Sequence, residues 1–348
     1  MIITYLRSSS YNCHSMCEQQ FFLDYVLGIK SPSGKKADLG TNTHKVMEIL
    51  AGIKLSIQNN EQFYVDDILG SIDVDNYNLE DITTRVFEHY KTLFEHHVWT
   101  DKDLKTCHQN VNTMISSHSG MFDPRNREMV SSEGHFDIII DKPWADYEYK
   151  IDGKTLKGKL GIKGTIDLIT KANSETLEIV DLKTGRRLDW ATGKEKTIEK
   201  LYDDAQLRIY HYAVSKMYPQ YEYVIVTINF INDGGPFSVL FTKEDLSKTE
   251  EMIRKKFETI KKCKRPKLTR TWKCTKLCHY GKKTFENHPS ILPILEYRDN
   301  QTCSKGSYMT ICEQIKHNTE LKGMDSVVDE YTTPGYTVDK YKAPGGTE

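Results

Sequence analysis

The sequence has no excess of charge of either sign. Lys plus Arg (48) nearly cancels Asp plus Glu (49), leaving a net charge of −1 over 348 residues. Attraction to a polyanion must therefore come from local patches. Long apolar runs are also missing. Stretches such as Tyr223 to Ile231 fall far short of the roughly 20 residues that span a bilayer. The opening residues lack the basic start and apolar stretch of a secretory leader. The expectation is a cytoplasmic protein without membrane contact. No Gly-x-x-x-x-Gly-Lys-Ser/Thr loop occurs, so an ATP-driven motor would have to be a separate chain. There is no internal repeat. In a reducing compartment the eight Cys are expected to be thiols or metal ligands rather than disulfides.

What is present is a polar chain long enough to bury a real core, with 38% apolar and 28% charged residues. Tyr11 to Gly28 reads as a helix with Met16, Phe21, Phe22, Tyr25 and Val26 on one flank. A second helix is expected over Lys36 to Ala51, carrying His44 and Glu48 on one face. Residues 60 to 130 read as mostly helical, with Asp- and Asn-rich breaks. From Gly134 the pattern changes to short β-rich runs: Phe136 to Ile140, Gly164 to Ile169, and Leu177 to Leu182. A helix over Asp204 to Tyr218 follows, ended by Pro219. Two more strands and a polar amphipathic helix over Lys243 to Lys262 complete an α/β core with a mixed sheet. From about Asp325 the composition predicts an extended tail.

Two of these runs end in charge. Asp167 lies in one apolar strand; Asp181 ends the next, with Lys183 two residues on. Residues two apart in a strand share a face, so Asp181 and Lys183 project together. If the strands form a hairpin across Lys171 to Thr176, Asp167 joins them. Two carboxylates can hold Mg²⁺ or Mn²⁺ through oxygen. A nearby ammonium can position an attacking water or add charge beside a scissile phosphate. A bare Asp-x-Lys is more often a surface ion pair, and the neighbouring residues decide the matter.

Those residues are Gly164-Thr165-Ile166-Asp167, then Asp181-Leu182-Lys183-Thr184-Gly185, then Gln206-Leu207-Arg208-Ile209-Tyr210, with Gly40-Thr41-Asn42-Thr43-His44 upstream. In type, order and spacing they resemble the RecB-like branch of the PD-(D/E)XK nucleases. That branch includes nuclease domains of recombination helicases and CRISPR adaptation nucleases. The resemblance spans about residues 13 to 215 plus the C-terminal Cys region. It implies an α/β, restriction-endonuclease-like mixed sheet flanked by helices, with a helical insertion. It implies a catalytic set of Asp167, Asp181 and Lys183, with Gln206 and Tyr210 orienting the Lys, contacting DNA or simply packing their helix. It implies a Mg²⁺ or Mn²⁺ site of His44, Asp167, Asp181 and the Leu182 backbone carbonyl. Glu178, three residues before Asp181, falls on the opposite face and is excluded.

The Cys residues extend the likeness. Part of this branch holds an iron–sulfur cluster with one Cys near the N-terminus and three beyond the core. The corresponding residues are Cys17, Cys274, Cys278 and Cys312, with Cys303 as the alternate fourth ligand. Cys312 is preferred because it opens a predicted helix, whose N-terminus favours a thiolate. The same four thiolates would also suit Zn²⁺, since sequence does not separate it from a 4Fe–4S cluster. The x3 spacing of Cys274 and Cys278 departs from the commoner x2. Cys107 and Cys263 read as ordinary thiols.

Seven Lys or Arg and no acid fall between Lys261 and Lys273. Lys264, Arg265, Lys267 and Arg270, with Arg186 and Arg187 near the Asp-x-Lys, are the candidate DNA-backbone contacts. The expected organisation is a nuclease core over 1–262 with an insertion at about 55–130, a cluster-binding segment over 263–322, and a tail over 323–348. The expected activity is a metal-dependent deoxyribonuclease, an exonuclease on single-stranded ends or flaps in replication, recombination or repair. A separate helicase or recombination protein is an expected partner. The compact form would suit a phage or stand-alone repair gene. The rival readings are a non-catalytic DNA-end binding protein of the same fold and a zinc-stabilised interaction protein.

Overall fold

The computed structural model describes residues 1–29, 33–151, 154–188, 194–276, 278, 280 and 310–333. The chain forms two compact units. One unit contains residues 33–136 and 164–247; the other contains residues 1–32, 137–163 and 248–348.

The first of these units is built on a mixed sheet. Strand β7 (Gly161–Lys171) is antiparallel to β8 (Thr176–Lys183), with Leu168 opposite Val180. Strand β9 (Tyr223–Phe230) then runs parallel to β8, with Asp181 paired to Ile228 and Lys183 to Phe230. A parallel pair needs a crossover, and the helix Ala205–Met217 supplies it. Its N-cap is Asp204, whose carboxylate accepts from the Gln206 N–H. Strand β10 (Phe237–Thr242) closes the far edge antiparallel to β9, and β4 (Met129–Ile139) lies against the other side of β7.

The long helix Lys35–Gln58 explains why the sheet holds still. It is seven residues longer at its C-terminal end than the periodicity predicts, because nothing in Gly52 to Gln58 breaks it. Met47, Leu50 and Ala51 pack on Leu168, Val180 and Leu182 of the sheet and on Met114, Phe122 and Met129. Its other face, Val46, Ile49 and Ile53, packs on Ile82, Val86 and Val111 of two further helices, Leu79–Leu93 and Asp101–Ser116. A helix buried on two faces has little freedom to turn, which fixes the direction of His44. The insertion also holds a hairpin, Phe63–Asp66 with Gly70–Asp73, where the sequence reads as helix with breaks. Alternation of exposed Phe63 and Val65 with buried Asp66 marks the strand. The acid there is buried because Lys45 meets Asp66 at 2.9 Å and Asp67 at 2.6 Å.

Inside this unit His211 is fully buried and stacks on Phe241, with ring centroids 4.9 Å apart. Neither ring nitrogen has a hydrogen-bond partner. Burial pushes its pKa down to about 4, with Asp245 opposing and Arg208 adding. The fold therefore favours neutral imidazole, whereas the unfolded chain takes up the proton near pH 6.5. Its contribution is full above about pH 6.5 and is lost as pH falls toward the folded value, a penalty of about 3 kcal/mol at the acid end. Urea midpoints at pH 7 and pH 5 measure this. His211→Phe should reduce the acid loss, and an unchanged pH slope in that variant would refute the assignment.

In the second unit the N-terminus is tied down: the Met1 ammonium donates to the carbonyls of Ile260 (2.9 Å) and Cys263 (2.6 Å). Strand β1 (Tyr5–Leu6) runs parallel to Gly161 and Ile162. The single helix expected over Tyr11 to Gly28 is instead three pieces. Ser8–Met16 ends at Cys17, which is extended at φ −159°, and Glu18–Phe21 then passes into a π-turn over Phe22–Val26. Tyr280 reaches back to the Asp24 carboxylate and the Ile29 carbonyl. Helix Ile311–Lys322 is capped by Thr310 and Glu313. Met324–Tyr331 is a helix where composition predicts extended tail, because Val327, Val328 and Tyr331 bury a common face. Residues 334–348 of that tail lie outside the described residues. Among the described residues no helix is long and apolar enough to cross a membrane.

Candidate active site

Strand pairing brings the charged ends together. One step beyond the Leu168–Val180 pair, Asp167 comes beside Asp181. The Leu182 N–H donates to Asp167 Oδ2 at 2.7 Å, while Asp167 Oδ1 lies 3.4 Å from His44 Nδ1. Lys183 Nζ lies 2.7 Å from Asp181 Oδ2. From the crossover helix, Gln206 Nε2 donates to Asp181 Oδ1 at 3.0 Å and to the Tyr210 hydroxyl at 2.9 Å. Residues His44, Asp167, Asp181, Lys183, Gln206 and Tyr210, chosen from sequence, thus form one connected group. Leu182 lies in β8 between Asp181 and Lys183, with its side chain buried. Glu178 points elsewhere, pairing with Arg127 and accepting from Thr227 Oγ1 at 2.6 Å.

Sequence reasoning missed Glu133. One ligand atom each from His44, Glu133 and Asp167 lie within 4.8 Å of one another. Glu133 sits in β4 at φ 44°, a left-handed conformation that costs a non-glycine residue about 1 kcal/mol or more. Such strain persists where surrounding structure fixes the residue. Nothing in Ser131-Ser132-Glu133-Gly134 signals it, because the signal is a backbone twist.

The electrostatics separate the acids. Burial pushes the Asp181 carboxyl up, against the pull of Lys183, and Asp167 pushes it further. Burial acts the same way on Asp167, but His44, Lys183 and the Leu182 N–H together outweigh it and hold that carboxyl below its usual range. Burial opposes charge on Lys183 as well, yet Asp181 and Asp167 keep the ammonium charged. Glu133 is pushed up to about 7 by burial and then by Asp167. Asp181 is 1% exposed, and its Oδ2 has no directed hydrogen bond despite the ion pair. A buried carboxylate oxygen with a spare lone pair, beside two more carboxylates and an imidazole, fits a hard divalent cation.

Two motif glycines have steric reasons. A Cβ on Gly164 would lie 2.4 Å from Phe136 Cζ, so the ring packs directly on the backbone. Phe136 in turn stands edge-on to Tyr210 at 6.1 Å. A Cβ on Gly40 would lie 3.1 Å from Thr184 Oγ1. The glycines let helix and strand close on the site.

Residues 8–282 match the PD-(D/E)XK nuclease superfamily. The chain belongs to that superfamily. Solved structures with a similar chain course include one from Eubacterium rectale described as a candidate exonuclease. It is 10% identical, with a TM-score of 0.41, covering 92% of this chain and 93% of that one. Another is SSO0001, 12% identical with a TM-score of 0.23, covering 69% of this chain and 90% of its own. No curated protein sequence matches the chain.

As a member of this superfamily the chain is a nuclease-fold protein whose relatives use divalent metals. The other sequence-chosen residues are placed as follows. Arg186 is exposed, while Arg187 pairs with Glu195 at 2.8 Å and lies over the Phe237 ring at 4.1 Å. Arg187 is thus committed to its own neighbours more than an open DNA contact would be. In the second unit Lys264, Arg265, Lys267 and Arg270 are exposed, and Arg270 pairs with Glu313 at 2.9 Å. There too, Cys17, Cys274, Cys278 and Cys312 lie close enough for their charges to interact. The buried Cys312 thiol is pushed up first by burial and then by Cys17, Cys278 and Cys274. Cys13 shares this neighbourhood, with its thiol donating to Asp24 Oδ2 at 3.7 Å. Cys303 lies outside the described residues.

Proposed function

We propose that the chain is a divalent-metal-dependent deoxyribonuclease acting as an exonuclease on single-stranded DNA ends. The observation that carries this reading is the convergence of His44, Glu133, Asp167, Asp181 and Lys183 where β4, β7 and β8 meet the helix Lys35–Gln58. His44, Glu133, Asp167 and Asp181 would hold Mg²⁺ or Mn²⁺, with the Leu182 carbonyl as a further donor; the imidazole favours Mn²⁺. The ion would supply Lewis acidity toward the scissile phosphate and a lowered pKa for water. Lys183, held charged by two carboxylates, orients the attacking water against the phosphate. Gln206 fixes Asp181 in place, and Tyr210 fixes Gln206. Arg186 and the exposed bases from Lys264 to Arg270 would bind phosphate backbone. A separate helicase or recombination protein would supply unwound ends.

The four thiols Cys17, Cys274, Cys278 and Cys312 support an iron–sulfur cluster in the second unit. Zn²⁺ would use the same four thiolates at a Zn–S length of about 2.3 Å, and analysis for iron, acid-labile sulfide and zinc separates the two.

The test is cleavage of 5′- and 3′-labelled single- and double-stranded DNA by anaerobically purified protein. Mononucleotides or short products released from single strands, with Mn²⁺ or Mg²⁺ and not with EDTA, are expected. DNA binding without cleavage under all metal conditions would replace this reading with end binding alone.

A further inference from the structure

A second group of metal-ligand side chains lies outside the nuclease centre. Asp38 opens the helix Lys35–Gln58, and His96 and His97 come from the connection between helices Leu79–Leu93 and Asp101–Ser116. One ligand atom from each lies within 4.8 Å of the others. We propose that these three residues form a binding site for a borderline transition-metal ion, Zn²⁺ in particular, that clasps the connection onto the start of the helix. His97 Nε2 is 2.7 Å from Asp38 Oδ2 and His96 Nε2 is 3.9 Å from the same oxygen. A tetrahedral ion with bonds of about 2.0–2.1 Å sets neighbouring donors about 3.3 Å apart. The two distances bracket that value, so a small closure of the rings suffices.

The donor chemistry separates this site from the first. Three carboxylates dominate the nuclease centre, whereas two imidazoles dominate here, and imidazole selects transition ions over Mg²⁺. The carboxylate is 4% exposed and the His97 side chain 13%, while His96 at 41% leaves one side open to a further ligand. Ser33 Oγ also donates to Asp38 Oδ2 at 2.7 Å, so one carboxylate oxygen gathers three partners. The two imidazoles lie 4.0 Å apart between ring centroids, close enough to face one cation together.

The scaffold around the pair is braced. Lys35 Nζ donates to the Val98 carbonyl at 2.6 Å and to Asp103 at 2.7 Å, so this ammonium is already paired. Trp99 Nε1 donates to the Phe94 carbonyl at 3.0 Å and its ring meets Phe87 and His97 edge-on, each at 5.5 Å. The ring positions are thus held before an ion arrives, which lowers the entropy lost on binding. His44 lies six residues after Asp38, about 9 Å along the same helix at 1.5 Å per residue. An ion at Asp38 would anchor the end of the helix that carries Gly40 and His44 to the nuclease centre.

The test uses the full chain with Mg²⁺ saturating the nuclease centre. Zn²⁺ is added, and histidine acylation by diethyl pyrocarbonate is read residue by residue by mass spectrometry. Zn²⁺ should protect His96 and His97 about tenfold, since metal ligation removes the reactive lone pair, and Mg²⁺ alone should not. His96→Asn/His97→Asn should bind one equivalent less Zn²⁺ than the parent and lose the Zn²⁺-dependent part of its melting temperature. The protection measurement needs no variant, so a poorly folding substitution does not leave the site untested. Equal acylation of His96 with and without Zn²⁺ overturns the proposal and leaves a hydrogen-bonded His–Asp contact. Equal Zn²⁺ uptake by parent and variant overturns it as well.

Discussion

Asp181→Asn and Lys183→Ala should each lower DNA cleavage by about a thousandfold or more while leaving DNA binding nearly unchanged. Removing one preorganised charge from a transition-state site typically costs about 10²–10³ in rate, and here the cation ligand set is damaged as well. Asparagine keeps the shape of Asp181 and can still accept from Gln206 Nε2 at Oδ1, while its amide nitrogen replaces the oxygen that meets Lys183. Asp181 is pressed toward neutrality by burial and by Asp167. Replacing it with a neutral group relieves that crowding but leaves the buried Lys183 ammonium with Asp167 alone, so Asp181→Asn should melt near the parent temperature in the metal-free protein. Lys183→Ala removes the ammonium paired with Asp181 and should lower metal-free stability instead, because a buried carboxylate loses its partner. Activity and melting temperature thus move together in one variant and apart in the other. Substantial cleavage by either protein, or cleavage in excess EDTA, would remove Asp181 and Lys183 from the active site.

The parts of this site that were legible in sequence are those fixed by strand and helix periods. Asp181 and Lys183 share a face because they are two apart in a strand, and Gln206 and Tyr210 meet because they are one helical turn apart. The mixed sheet was legible for a similar reason: apolar runs too short for helices alternate with turns, then a periodic helix, then two more runs. Glu133 was not legible, since its approach to Asp167 depends on a positive φ within β4. The break at Cys17 was hidden as well. Met16-Cys17-Glu18 has neither Gly nor Pro, and the apolar flank continues through it, so periodicity joins two helices that the backbone separates. The contact of His96 and His97 with Asp38 joins residues nearly sixty positions apart, a distance at which no local pattern carries information.

The break at Cys17 is also where the largest loss of stability is expected. Cys17→Ser should bleach the brown colour expected of anaerobically purified protein and lower its melting temperature by several degrees at least. The extended backbone at Cys17 turns its thiol out of the helix, and Cys17 Sγ comes within 3.9 Å of the Lys267 carbonyl. The Gln19 N–H donates to that carbonyl at 3.1 Å, and the Lys267 N–H donates to Glu18 at 2.9 Å. These bonds hold the N-terminal Cys against the segment that leads into Cys274. Cys312 enters from the first turn of Ile311–Lys322. A group shared by Cys17, Cys274, Cys278 and Cys312 would close a loop of more than two hundred residues. Constraining such a loop removes about 5 kcal/mol of unfolded-state freedom on a chain-entropy account, and ligation becomes folding energy. Cys13→Ser should keep the colour, because the Cys13 thiol is engaged with Asp24 as a donor. Cys107→Ser, in the other unit, should keep it too. Iron and acid-labile sulfide should be present in the parent and lost in Cys17→Ser. Bleaching by Cys13→Ser with colour retained in Cys17→Ser would move the first ligand four residues back and leave the cluster standing. Zinc in place of iron, lost in the same variants, would replace the cluster with a single-ion site, and a parent with neither metal would leave these four thiols as ordinary side chains.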